Sequence, residues 1–396
     1  MNTDKLAELG QHLHAKYIAP GKVAGTSVLV ARHGEICYVD QQGLADRERG
    51  TPMKADTIFR IYSMTKPITS VAIMMLVEEG LCAIEEPVHK YIPEFAQLRI
   101  YQSGEYPDFK TTASKRAMSI RDLLMHTAGF AYGLDTETSL DRAYQRMRML
   151  SSGPGEAMQP MIDKLASVPL NYSPGDSWQY SIATDVLGHL VEILSAQTLS
   201  EFFQQRIFNP LAMVDTSFTI STAKEQRFAA CYEKQPSGVV ALQDDPNSSS
   251  YTVSRRASGG GGLLSTVKDY NRFCQMLLNG GALAGERLLK TSTVEQMTRN
   301  HLPGQVDLAS VASGTFTETG FDGIGFGLGF AISQSPEQNG SPATHGTYYW
   351  GGMASTIFWI DPAKELVVIF MTQLIPSSSY NFRGELEQII YNAIDN

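Results

Sequence analysis

An α+β fold, in which an antiparallel β-sheet is flanked by terminal helices and carries an inserted, mainly helical domain, is predicted by three features of the sequence. Strand-like apolar runs cluster at both ends of the chain, helical periodicity dominates the middle, and 396 residues exceed one simple core. The two ends then share one sheet. This gives a discontinuous α/β domain over 1–70 and 283–396, with 71–282 inserted, and a cleft between the lobes as the expected site of chemistry.

Taken in order, the chain opens on a polar N-terminal helix that carries His12 and His14 without a partner cluster, so no metal site is expected there. Thr26 to Ala31 and Ile36 to Val39 flank Arg32-His33-Gly34-Glu35 and read as a β-hairpin. After the β-like Ile58 to Tyr62, residues 68 to 79 are apolar on every side of a helix, which predicts a buried central helix. Pro67, tolerated only in a first turn, fixes its start, and Gly80 marks its stop. A second helix is predicted over Ala183 to Leu194, after the turn Ser173-Pro174-Gly175-Asp176. The run Gly259 to Gly262 reads as a tight backbone passage near the cleft. Phe326 to Ile332, Ala354 to Ile360 and Leu366 to Met371 read as strands, and Asn381 to Ile394 as a terminal helix. Gly129 to Thr138 and Gly304 to Gly323 are loop-like and expected at the cleft entrance.

The chemistry begins at Ser63-Met64-Thr65-Lys66, where three residues of helix advance about 300° and rise about 4.5 Å, placing a hydroxyl and an amine on one face. At a helix start, free N–H groups and the positive dipole end also face a developing anion. Read blandly, Ser63 is a helix cap and Lys66 a solvated side chain. Tyr180-Ser181-Ile182 puts a tyrosine at a loop-to-helix junction, either leaning into a cleft or bonded in the core. Tyr349-Trp350-Gly351-Gly352-Met353 opens a strand-like run, and its paired glycines permit close approach to the backbone.

Ser-x-x-Lys, a distant Tyr and a C-terminal Gly-containing strand motif, in that order, resemble the serine β-lactamase and penicillin-binding superfamily over most of the chain. The resemblance is strongest to the class C-like branch called family VIII carboxylesterases, through Phe59 to Pro67, Tyr180-Ser181, Arg121 to Gly129, Gly259 to Thr266 and Trp350-Gly351-Gly352. It implies that Ser63 attacks an acyl carbonyl, Lys66 holds or relays its proton, and Tyr180 serves as general base and then acid. The N–H groups of Ser63 and Met353 would form the oxyanion hole. Trp350, Gly351, Gly352, Tyr349 and Ile182 are the expected substrate-binding residues, and no cofactor or metal is expected. His345-Gly346-Thr347 is an alternative alignment for the Trp350 tripeptide. Tyr132, Tyr251 and Tyr348 are further candidates for an acyl pocket.

Free lysine and tyrosine titrate near ~10.4 and ~10, so a base at neutral pH requires a shift. A cation about 4 Å from a phenol is worth roughly 4 kcal/mol at an effective dielectric of about 20. Lys66 and Tyr180 are therefore expected to titrate as a coupled unit, with burial pushing Lys66 downward. Tryptophan at 350 replaces a cation suited to a substrate carboxylate, and Ile182 replaces an amide. Both losses point to neutral short-chain carboxylic esters, cleaved through an acyl-enzyme, with weak β-lactam turnover at most and a mildly alkaline optimum. The alternatives are transfer of the acyl group to a small-molecule acceptor, a D-Ala-D-Ala carboxypeptidase or β-lactamase, and a non-enzymatic penicillin-recognising sensor or scaffold.

Other classes are disfavoured. No G-x-S-x-G elbow occurs, His126 reads as a loop-packing residue, and no phosphate or dinucleotide fingerprint is present. A net charge of −9 argues against nucleic acid, with Arg255-Arg256 read as surface anchors. A composition of 43% hydrophobic and 18% charged residues is that of a globular protein. No signal peptide or membrane span is legible, so a cytoplasmic location, a small-molecule ester as partner and no membrane partner are expected, and the oligomeric state is left open. Cys37, Cys82, Cys231 and Cys274 form no metal pattern and are expected as reduced thiols.

Overall fold

The fold comes from a computed structural model that describes residues 1–134, 136–151, 157–254, 256–313 and 320–394. Arg255 and parts of the 129–138 and 304–323 loops lie outside the described residues. Eight strands form the main sheet: Gly25–Arg32 (β1), Glu35–Asp46 (β2), Thr51–Pro52 (β3), Ile324–Phe326 (β4), Ala331–Ser333 (β5), Tyr348–Gly352 (β6), Thr356–Asp361 (β7) and Leu366–Met371 (β8). All pairs are antiparallel, in the order β4, β5, β6, β7, β8, β1, β2, β3. The chain ends meet at its centre, where Ser27 faces Met371 and Ala31 faces Val367. Every residue of β8 is buried, as an apolar strand covered on both faces requires.

The β1–β2 hairpin turns at His33 and Gly34, both with positive φ (54° and 80°), the twist that suits a two-residue loop between right-twisted strands. Two expectations need correction. The single strand over 326–332 is a hairpin, with Ile324 paired to Ser333 and Phe326 to Ala331 around a turn at Gly327 to Phe330. Leu328 and Phe330 of that turn are fully buried, so the apolar run continues through it and conceals it. Likewise, Trp350-Gly351-Gly352 does not open the following strand. It closes a strand of its own, β6, with Trp350 opposite Phe358 and Gly352 opposite Thr356.

Helices Thr3–Leu13 (α1), Thr65–Glu78 (α2), Ala183–Ser195 (α3), Val267–Leu278 (α4) and Phe382–Asn392 (α5) complete the frame around the site. The terminal helices cover one sheet face: Phe382 of α5 lies 4.8 Å from the Tyr17 ring and 4.9 Å from Phe370 of β8. On the opposite face, Tyr270 of α4 packs 5.1 Å from Phe358 of β7. Such aromatic pairs add about 0.5–1.5 kcal/mol each beyond the area they bury. Between α2 and α4 the chain also folds two small hairpins, Arg99–Ser103 with Lys110–Ala113 and Cys231–Lys234 with Val240–Asp244. Leu374–Ile375 joins the second of these in parallel.

Helix α2 is buried from Thr65 to Leu76, as its all-round apolar character predicts. Pro67 sits in its first turn, and Gly80, at φ 76°, follows its end. Among the described residues no helix is long and apolar enough to cross a membrane.

Candidate active site

Ser63 stands in a short 3₁₀ turn, Tyr62–Met64, that runs directly into α2, and it is 7% exposed. Tyr62 has φ 42°, a left-handed conformation that costs a residue with a Cβ about 1–2 kcal/mol. The ring of Tyr62 is half-buried, and the next residue, Ser63, lines the cleft. Lys66 follows one helical turn later, so the spacing that suggested a shared face delivers Lys66 Nζ 3.3 Å from Ser63 Oγ. Tyr180 arrives from the loop before α3, its hydroxyl oxygen 2.6 Å from Ser63 Oγ. The Lys66 ammonium also lies 4.6 Å from the centre of the Tyr180 ring. Two side chains of one helical turn and a third 117 residues from Ser63 thus meet at one oxygen.

Two groups that sequence reasoning left out of this centre complete it. Lys66 Nζ donates to the Gly260 carbonyl at 2.6 Å and to the Tyr132 hydroxyl at 3.1 Å. An ammonium has three N–H donors, and with Ser63 Oγ it has three acceptors here. Burial works against the Lys66 charge, but Tyr132 and Tyr180 outweigh it, so its pKa lies above the ordinary lysine value. Burial acts downward as expected, but the acceptors that stand around the buried head group set the net direction upward. Burial raises the Tyr132 hydroxyl well above its usual value, with Lys66 opposing. His126, fully enclosed beside the Tyr180 ring at 5.0 Å, is pushed well below the usual histidine range by desolvation and then by the Lys66 charge. It is a neutral packing group, with Nδ1 3.2 Å from Ser181 Oγ.

The end of β6 supplies the opposite wall. A Cβ at Gly352 would overlap the Ile61 carbonyl oxygen, so only glycine lets the strand end lie against the segment that leads to Ser63. That approach brings Met353 to the same cleft as Ser63. Among the described residues the Met353 N–H, which lies beyond the strand, enters no hydrogen bond and is available to an incoming oxygen. The cleft holds about 540 Å³ of empty space including its open mouth. Trp178, Leu308, Phe321, Ile324, Tyr349 and Trp350 give it apolar walls, and none of the described residues lining it is charged. Gly351 and Gly352 line it as well.

The remaining candidates divide. Trp350 packs 5.4 Å from the Tyr180 ring and lines the cleft, whereas His345 of the alternative tripeptide is exposed, its Nδ1 2.7 Å from the Gln334 carbonyl oxygen. Ile182 is not among the described residues that line the cleft. It is fully buried as the residue that caps α3, and its side chain belongs to the core. Tyr251 packs under Phe228 and Tyr348 against Phe330, so neither lines the cleft. Trp178, Leu308 and Phe321 were missed. Trp178 carried a faint signal, being two residues before Tyr180 and so on the same side of an extended segment.

The Beta-lactamase family profile matches residues 11–389. Protein Rv1367c of Mycobacterium tuberculosis is 33% identical over 362 residues, covering 91% of this chain and 88% of its own length. Esterase EstB of Burkholderia gladioli is 32% identical over 371 residues, covering 89% and 86%. Among solved structures, EstCE1, a hydrolase with promiscuous acyltransferase activity, superposes with a TM-score of 0.80 at 24% identity and covers 98% of both chains.

Proposed function

This chain belongs to the Beta-lactamase family, and on that premise we propose that it is a serine hydrolase that cleaves short-chain carboxylic esters through an acyl-enzyme. One observation carries the reading: the 2.6 Å contact between Tyr180 and Ser63 beside a lysine whose donors are all engaged. With Lys66 held protonated, Tyr180 in its phenolate form is the group placed to take the Ser63 proton. Ser63 Oγ bonds to the acyl carbon as its proton passes to the Tyr180 oxygen, and the carbonyl oxygen becomes an anion facing the Ser63 and Met353 N–H groups. Collapse breaks the ester C–O bond, and the leaving alkoxide takes the proton from Tyr180. Water then repeats the sequence: its proton goes to Tyr180, its oxygen to the acyl carbon, and Ser63 leaves with the proton returned.

The described walls of the cleft are apolar and uncharged, which supports neutral esters over substrates that carry a free carboxylate, such as penicillins or D-Ala-D-Ala peptides. Acyl transfer uses the same acyl-enzyme with an alcohol in place of water. The description of EstCE1 and the apolar walls of this cleft favour that as a second reading. A small-molecule ester, without nucleic acid or membrane, is the partner this site suits.

Trapping with a fluorophosphonate tests the assignment. Mass spectrometry should place the adduct on Ser63, and Ser63→Ala should abolish both it and the hydrolysis of p-nitrophenyl butyrate. An adduct on another residue, or full turnover by Ser63→Ala, would displace the reading.

A further inference from the structure

The glycine run at 259–262 threads between α2 and α3, and its peptide groups are committed one by one. The Gly259 carbonyl accepts from Thr69 Oγ1 of α2 at 2.7 Å, and the next carbonyl, that of Gly260, accepts from Lys66 Nζ at 2.6 Å. On the other side the Gly260 N–H donates to Asp185 Oδ1 of α3 at 3.2 Å, and Ser258 Oγ donates to the same oxygen at 2.5 Å. Asp185 is 5% exposed. It stands in the first turn of α3, where the helix dipole favours a negative group. Glycine is required in this passage. A Cβ at Gly260 would strike the Asp185 carboxylate, and one at Gly259 would come within 2.7 Å of the Thr184 carbonyl oxygen.

We propose that Asp185 is a positioning residue for the reaction: it grips the Gly260 backbone and thereby holds both the carbonyl acceptor and the negative charge that keep the Lys66 ammonium beneath Ser63. The proposal rests on the Ser63–Lys66–Tyr180 reading and deepens it. A neutral acceptor would satisfy the Gly260 N–H equally well, so the charge of Asp185 has a use besides suiting the helix dipole. Lys66 provides it: Asp185 is among the groups that raise its pKa. The other titratable groups facing that ammonium are Tyr132 from the loop after the helix Ile120–Leu124, Tyr180 from the loop before α3, and His126.

The rate at which a fluorophosphonate labels Ser63, followed from about pH 7 to about pH 10, tests this without depending on which ester is hydrolysed. Wild type should show no alkaline fall over that range. Asp185→Asn keeps an acceptor for the Gly260 N–H and removes the charge. It should slow labelling about tenfold at neutral pH and bring a fall of about threefold or more into the range near the ordinary lysine value. Ser258→Ala, which keeps the carboxylate, should keep the wild-type profile shape. Gly260→Ala, whose new methyl pushes the carboxylate aside, should slow labelling about tenfold and gives a second test if Asp185→Asn does not fold. An Asp185→Asn profile that superimposes on wild type, a Ser258→Ala profile that falls as Asp185→Asn does, or a folded Gly260→Ala labelled at the wild-type rate would each overturn the proposal while leaving the Ser63 assignment intact. An unlabelled wild type would overturn both.

Discussion

At the scale of single residues, the site separates groups that a sequence motif names from groups that only proximity names. Ser63 and Lys66 are adjacent in one turn, so their meeting follows from helical geometry alone. Tyr132 and the Gly260 carbonyl belong to the same centre with nothing local to announce them, because a lysine's acceptors are chosen by packing. Tyr180→Phe keeps the ring among its aromatic neighbours and removes the proton acceptor. It should lower kcat/KM for p-nitrophenyl butyrate by about 10²–10⁴ with an unchanged circular dichroism spectrum. A loss under tenfold would count against Tyr180 as base. His126 makes a separate prediction about stability. Its folded pKa lies well below the usual value, so the unfolded chain binds a proton that the folded chain refuses. Stability should therefore fall as the pH drops below about 6.5, by about 1.4 kcal/mol for each pH unit until the folded-state value is reached. His126→Gln should flatten that slope in urea titrations between about pH 7 and pH 5.

Among the elements, the end of β6 matters most. Gly352 lies where a methyl group would overlap the Ile61 carbonyl oxygen, so Gly352→Ala must move the strand end, and with it the Met353 N–H, away from Ser63. Loss of one oxyanion donor costs about 10²–10³ in kcat. Gly352→Ala should show that loss with little change in KM, measured on the butyrate ester. A rise in KM alone would assign the glycine to substrate binding. The elements also show why some boundaries were legible and others were not. Leu366–Met371 was read to the residue because a fully buried strand is an uninterrupted apolar run between polar turns. The β4–β5 hairpin reads as one strand because its turn is itself buried and apolar, with only Gly327 and Gly329, the latter at φ 100°, to mark the reversal. Ile182 was assigned to substrate through its place in a motif. Its position at the head of α3 turns the side chain into the core instead.

For the whole molecule, the proposed substrate choice follows from a cleft whose described walls are apolar and uncharged. Short neutral esters should be preferred. The kcat/KM for the p-nitrophenyl butyrate ester should exceed that for the dodecanoate at least about tenfold, because burial of a longer chain gains about 0.8 kcal/mol per CH₂ only while space remains. Equal turnover of both would show the cleft to be open-ended. Trp350→Lys should move selectivity towards anionic substrates, raising turnover of a cephalosporin relative to butyrate by about tenfold, as a cation in a site of low dielectric attracts a carboxylate. The sequence by itself determined the fold class, the central helix and the shared face of Ser63 and Lys66, since these rest on periodicity and spacing along the chain, and it named Ser63 as a candidate nucleophile through the resemblance its motifs carry. Only the tertiary structure placed Tyr132, the Gly260 carbonyl and Asp185 around Lys66, raised the Lys66 pKa through those neighbours, and set the described walls of the cleft. Those depend on which groups a fold presses together, and a pKa or a pocket is a property of neighbours in space that spacing along the chain does not encode.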